Sequence, residues 1–165
     1  MSHVPADVYV LLAALVYVGV RRCYPRTIRP ERMIVFPVLF LLLGASSLAR
    51  LLPNATPDAF GAALLAGPLG IGLGWLQAAR WALRFDVPAG GTLRVHLPGD
   101  PSLLITLLLA FSAEFFVHYA VDSGRPWAAT QTFAFTAFAA WGALAGTPIG
   151  RAANVLLRSS RAALA

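Results

Sequence analysis

The chain has 165 residues, of which 58% are hydrophobic and 12% charged, and its mean hydropathy is +0.70. Soluble domains carry roughly 45–50% apolar and about 25% charged residues. The composition therefore argues against a soluble globule, a disordered chain and a disulfide scaffold, and points to a polytopic membrane protein. Thirteen basic residues, all arginine, stand against seven acids for a net charge of +6. They fall between apolar runs, as membrane flanks do, and no basic–aromatic stripe suggests a nucleic-acid partner. The single cysteine, Cys23, excludes an intramolecular disulfide and a multi-cysteine metal site.

A membrane span needs about 20 mainly apolar residues, and five runs qualify. The first extends from Val4 to Val20. Around its start lie Met1, Ser2, His3 and Asp7 but no arginine, whereas a cleavable signal carries its positive charge first. It is read as a retained anchor with the N-terminus outside. The following gap holds Arg21, Arg22, Arg26, Arg29 and Arg32, which can fix topology, bind anionic lipid headgroups, or both. Cys23 beside two arginines reads as an inert juxtamembrane thiol.

The second run spans Met33 to Ala49 and the third Ala59 to Ala79. On the third, Ala62, Ala66, Gly70, Gly74 and Ala78 recur every four residues and form one small-residue face. Such a face lets helices approach closely where lipid supplies no hydrophobic drive between them. Pro68 should bend this span, as a packing feature or a gating hinge.

Residues 84–97, RFDVPAGGTLRVHL, alternate polar and apolar side chains around Pro-Ala-Gly-Gly, which predicts a β-hairpin. The favoured register pairs Val87 with Leu93 and Phe85 with Val95, and opposes Asp86 to Arg94 across an Ala89–Gly91 loop. An isolated hairpin is marginal in water, so its apolar face should rest on helix ends or headgroups.

The fourth run, Ser102 to Val121, has an ionisable pair in its interior: Glu114 and His118, four apart and on one face. Ser112 lies nearby, and Asp122 is four beyond His118. Asp7, Asp58, Asp122 and His3 fall towards the outer helix ends and form a candidate outer mouth. A carboxylate and an imidazole at this spacing can lock two helices together, relay a proton or coordinate a metal. The fifth run, Thr130 to Ile149, repeats the small-residue pattern at Gly142, Gly146 and Gly150. Arg151, Arg158 and Arg161 follow in a short tail.

Grouping alternate gaps puts eleven arginines on one side and only Arg50 and Arg125 on the other. The positive-inside rule places the eleven, the hairpin and the C-terminus in the cytoplasm.

Three stretches resemble the CcdC-like group of small bacterial membrane proteins. RRCYPRTIRPERMIVFPVLFLLLG is similar to that group's R-x-x-P-R-x-I-R…P segment. LPGDPSLLITLLLAF resembles its PG-S-x-x-P-L approach to the fourth helix, with Asp100 where the motif has serine. GALAGTPIGRA resembles its G…G…GR ending. The likeness implies a five-span plan in the bacterial inner membrane, and the group's name points towards cytochrome c biogenesis. It implies no catalytic residues.

The reading is thus one all-α membrane domain over residues 1–165, a five-span bundle with a cytoplasmic hairpin. Its function is that of a non-enzymatic transport element or membrane assembly factor with a polar centre at Glu114 and His118. The alternative is a metal- or haem-linked redox or cytochrome-biogenesis helper using the same two residues as ligands. Expected partners are membrane lipids and a second copy or another membrane protein, with no nucleic acid. The sequence requires no cofactor.

Overall fold

The computed structural model describes residues 6–86 and 93–164. Five helices, α1 (Ala6–Arg22), α2 (Val35–Leu51), α3 (Pro57–Ala79), α4 (Ser102–Asp122) and α5 (Gln131–Leu164), make up most of the chain. Short 3-10 turns at Pro30–Met33 and Pro126–Ala129 lead into α2 and α5. Four segments are long and apolar enough to cross a membrane: Pro30–Leu51, Pro57–Ala79, Ser102–Asp122 and Gln131–Ala163. The remaining predicted run, the first in the chain, is helical over its described residues. As described, however, α1 has 17 residues ending on Arg21 and Arg22, about 25 Å of helix against a hydrocarbon core of about 30 Å.

The closest helix pair is α3 and α5, which run parallel because both travel from the same end of the bundle. A Cβ at Gly70 would fall on the carbonyl oxygen of Ala143, and one at Gly74 on that of Thr147. Reciprocally, Cβ atoms at Gly142, Gly146 and Gly150 would fall on the carbonyls of Ala63, Gly67 and Ile71. The two small-residue faces therefore meet backbone to backbone, and Ala62, Ala63 and Ala78 are buried along the same seam. The helix α3 continues through Pro68. Its other face carries Leu64, Leu65, Leu69 and Leu73, with Leu64 77% exposed. An apolar belt of that kind is compatible with a surrounding bilayer and unsuited to water.

A second pair, α1 and α4, forms where Gly19 leaves room for Leu104, whose Cδ1 would be 2.5 Å from a Cβ at that position. The helix α2 lies between the pairs. At the end remote from Arg22, Leu48 of α2 and Leu52 just after it, Ala59 and Ala63 of α3, Val117 of α4 and Phe138 of α5 close into one apolar cluster. The rings of Phe116, Trp127 and Phe133 lie against one another at the same end, with centroids 5.2–6.4 Å apart.

The opposite end carries the predicted β-structure, with an addition. Strands β1 (Arg26–Ile28), β2 (Arg84–Asp86) and β3 (Arg94–Leu97) form one antiparallel sheet in the order β1-β3-β2. Phe85 pairs with Val95 and Asp86 with Arg94, the register read from the alternation. The Val87–Leu93 pair and the loop at 89–91 involve residues outside the described ones. The hairpin is not isolated: β1 pairs Ile28 with Val95 and Arg26 with Leu97, making β3 the central strand. This third strand is three residues long, too short to show an alternation of its own.

The tail beyond Ile149 also differs from the reading, because α5 runs on to Leu164. The extension has an apolar stripe to bury: Val155 packs under Val95 and Leu97, with Ile28, Met33, Trp81, Leu83 and Phe85 around them. Arg158 donates from Nη1 to the carbonyls of Ala78 and Trp81, at 3.3 and 3.0 Å, capping the end of α3. The sheet thus rests on the protruding part of α5 rather than on helix ends alone.

Candidate functional site

Between the α1–α4 and α3–α5 pairs lies a cavity of about 600 Å³, walled by α1, α2, α4 and α5. Its lining is almost wholly apolar: Leu11 and Leu15, Phe36, Leu39, Phe40 and Leu43, Phe111 and Val117, and Ala140 and Leu144. The exceptions on its wall are Ser47, Glu114, Thr136 and the indole of Trp141. The hydroxyl of Ser47 donates to Oε1 of Glu114, joining α2 to α4. Glu114 is twelve residues into α4 and Ser47 twelve into α2, each about 18 Å from the sheet end, so the two meet at one depth. The Trp141 Nε1 donor is buried without a partner among the described residues, in the space that the absent side chain of Gly44 leaves.

His118 stands one turn further along α4. Its Nε2 is 3.9 Å from Oε1 of Glu114, with the imidazole side chain 47% exposed and the carboxylate side chain 33% exposed. At that separation the two groups are neighbours without a hydrogen bond between them. Glu114 faces the cavity, therefore, while His118 reaches the outer surface near the end of the helix. Ser112 is exposed, and the hydrogen bond to Glu114 comes from Ser47 instead. Asp58, in the first turn of α3, and Asp122, at the end of α4, are exposed at the end remote from the sheet. His3 and the side chain of Asp7 lie outside the described residues. Among the described residues no three His, Cys, Asp or Glu side chains come together as a metal set.

A second constellation lies at the sheet end. A cavity of about 220 Å³ is lined by Arg22, Arg26, Arg32 and Arg151, with Asp100 as its one acid. Its apolar walls include Met33, Phe36, Trp81 and Leu103. The guanidinium of Arg22 sits over the Phe36 ring at 5.3 Å, a cation–π distance. Of the other arginines singled out in the same gap, Arg21 lies over Tyr17 at 5.9 Å, and Arg29 is exposed. Burial, and after it the charge of Arg22, push the Arg26 guanidinium down to about 10. Arg26 stays charged at neutral pH, so the cost of crowding two cations falls on the fold.

Arg151 is only 6% exposed, though the sequence places it among the tail arginines. It donates from Nε to Oε1 of Gln77 and from Nη2 to Oγ1 of Thr106, each at 2.9 Å, and Nη2 also approaches the carbonyl of Ser102 at 3.5 Å. Among the described residues its Nη1 is buried with no partner. The Asp100 carboxylate is occupied by Ser102, accepting from its backbone N–H at 2.9 Å and from its hydroxyl at 2.6 Å. Ser47, Gln77, Thr106 and Arg151 were not singled out by the sequence. The signals were present: Ser46-Ser47 interrupts an apolar run, and Arg151 directly follows the last glycine of the α5 face.

The chain matches no protein-family model, no curated protein and no solved structure.

Proposed function

We propose that this chain is a non-enzymatic, multi-pass membrane protein, a transport element or assembly factor, that takes an apolar or amphiphilic guest into the cavity beside Glu114. The observation that carries this reading is a carboxylate, held by Ser47, on the wall of a chamber otherwise lined by aliphatic and aromatic side chains. An ionisable group at membrane depth is costly and marks function by default. Here it faces a space large enough for a guest, since ligand cavities commonly run from about 300 to 1,000 Å³.

Under this reading α1 crosses as well and makes the spans five, the N-terminus is outside and the sheet end faces the cytoplasm of a bacterial cell. The arginines support that orientation. Arg26, Arg84 and Arg94 lie in the sheet, Arg22, Arg32 and Arg151 beside it, and Arg158 on the end of α3. Arg125, by contrast, lines a shallow cleft at the other end with Leu52 and Asn54. The likeness of three stretches to the CcdC-like group supports the same membrane plan.

The test is modification by a hydrophobic carbodiimide in membranes, read by mass spectrometry of the cleaved chain. Glu114 should be modified, protected by apolar guests, and modified far more readily than by a water-soluble carbodiimide. Equal reaction with both reagents would mean a water-filled chamber and defeat the reading. A C-terminal reporter active only outside the cytoplasm would reverse the orientation.

A further inference from the structure

We propose that the arginine pocket and the Glu114 cavity together hold one anionic phospholipid, its phosphate among Arg22, Arg26, Arg32 and Arg151 and one acyl chain along α2. This rests on the cavity reading given above and adds the class of guest.

Charge complementarity comes first. Four guanidinium groups share the pocket with one carboxylate, and both oxygens of that carboxylate already accept from Ser102. The pocket is left with a surplus of cations at the depth where headgroup phosphates lie. Arginine suits such a ligand, because its planar fork of donors matches phosphate oxygens.

Arg151 supplies an independent observation. A buried guanidinium with a donor left without a partner is expensive, and such groups call for an explanation. Among the described residues Nη1 of Arg151 is in that state while its Nε and Nη2 are engaged, and the side chain lines the same pocket. A phosphate oxygen in the pocket would satisfy it once the guanidinium turns towards the pocket.

The form of the pocket selects a lipid over a free anion. Phe36 walls both the arginine pocket and the apolar cavity. From Phe36 the cavity follows α2 through Leu39, Phe40, Leu43 and Ser47 to Leu48, about 18 Å of helix and more than half the hydrocarbon thickness. A soluble phosphate would use the cationic end and leave this chamber unfilled. One anionic amphiphile fills both.

The experiment uses the full chain in mild detergent, offered phosphatidylglycerol and phosphatidylcholine with identical chains, and reads the retained lipid by native mass spectrometry. Wild-type protein should retain the anionic lipid preferentially, and the double variant Arg26→Gln/Arg32→Gln should lose about tenfold or more of that preference. Arg26 lies in β1 and Arg32 in the 3-10 turn that leads into α2, where it is exposed; should the double variant elute as aggregate, the single Arg32→Gln variant carries the same comparison. Equal retention of the two lipids by wild type, or an unchanged preference in the variants, overturns the proposal. So does displacement of the lipid by inorganic phosphate, which would make the pocket a site for the free anion. Carbodiimide labelling of Glu114 in the same samples separates the two readings. Labelling retained with no lipid preference defeats the headgroup site alone, and lipid preference without labelling defeats the Glu114 reading and leaves the headgroup site supported.

Discussion

Nε of Arg151 in α5 donates to Oε1 of Gln77 in α3 at 2.9 Å, next to the point where Gly74 lies against the backbone of Thr147. The close approach of the two helices brings a buried cation within reach of an amide on the neighbouring helix. Removing the acceptor without removing the cation leaves a charged donor unsatisfied, at a cost of about 1–3 kcal/mol or more. Gln77→Leu should therefore destabilise the protein by that order in reversible unfolding in mixed detergent, and Gln77→Glu, which keeps an acceptor, should not. Equal stability of Gln77→Leu and wild type would show that the bond contributes nothing.

The glycines of the bundle divide by what lies above them. Gly74 and Gly146 have carbonyl groups in the space a Cβ would occupy, whereas Gly72 has nothing within 4 Å. Gly74→Leu and Gly146→Leu should prevent folding or yield aggregated protein on size exclusion. Gly72→Ala, on the open face of the same helix, should fold normally and gain up to about 0.5–1 kcal/mol from reduced backbone freedom. Normal behaviour of the two leucine variants would contradict the backbone contact between α3 and α5.

Glu114 and Ser47 predict a graded series. Glu114→Gln keeps an acceptor for the Ser47 hydroxyl and should express and unfold like wild type while abolishing any proton- or ion-coupled activity. Glu114→Leu removes the acceptor and should lose about 1 kcal/mol through the abandoned hydroxyl. Thermal unfolding of the three proteins checks the order, and full activity in both variants would leave the carboxylate without a role.

Arg26 gives a linkage prediction with a definite sign. Its guanidinium is pushed from the ordinary arginine range down to about 10, so folding disfavours the charged form. The penalty is present in full below about 10 and fades as the pH rises from there towards the ordinary arginine range, where the unfolded chain holds the proton that the folded chain has released. An anion in the pocket offsets the same penalty at neutral pH. Phosphatidylglycerol should raise the unfolding temperature more than phosphatidylcholine does, and Arg26→Gln should shrink that difference without itself lowering stability in neutral lipid. A variant less stable than wild type in phosphatidylcholine would show that Arg26 supports the fold instead of burdening it.

Much of the helical plan was legible because long apolar runs bounded by arginine and proline leave little choice of element. The meeting of α3 and α5 was foreshadowed by alanine and glycine at every fourth position. The hairpin register followed from alternation, since a shift by one residue would have turned Phe85 and Val95 away from the core. What stayed hidden depends on long-range contact. Arg26–Ile28 becomes a strand only because β3 offers it an edge. Residues beyond Ile149 remain helical because Val155 has a sheet to cover, and local apolarity gives no hint of that. Arg151 looked like a flank residue because its burial depends on Gln77 and Thr106, which come from two other helices. Glu114 and His118 share a face in sequence, yet their neighbours divide them: α2 reaches the first through Ser47, and no described hydrogen bond reaches the second.

The central claim is that the chamber beside Glu114 belongs to the hydrocarbon phase and admits a lipid chain. Trp141 lines that chamber, so a variant retaining it as the sole tryptophan, with Trp75, Trp81 and Trp127 replaced, reports on what enters. In bilayers of lipid brominated at mid-chain its fluorescence should be strongly quenched, and aqueous acrylamide should have little effect. Quenching by acrylamide with none by brominated lipid would show a water-filled chamber closed to lipid, and would contradict the account.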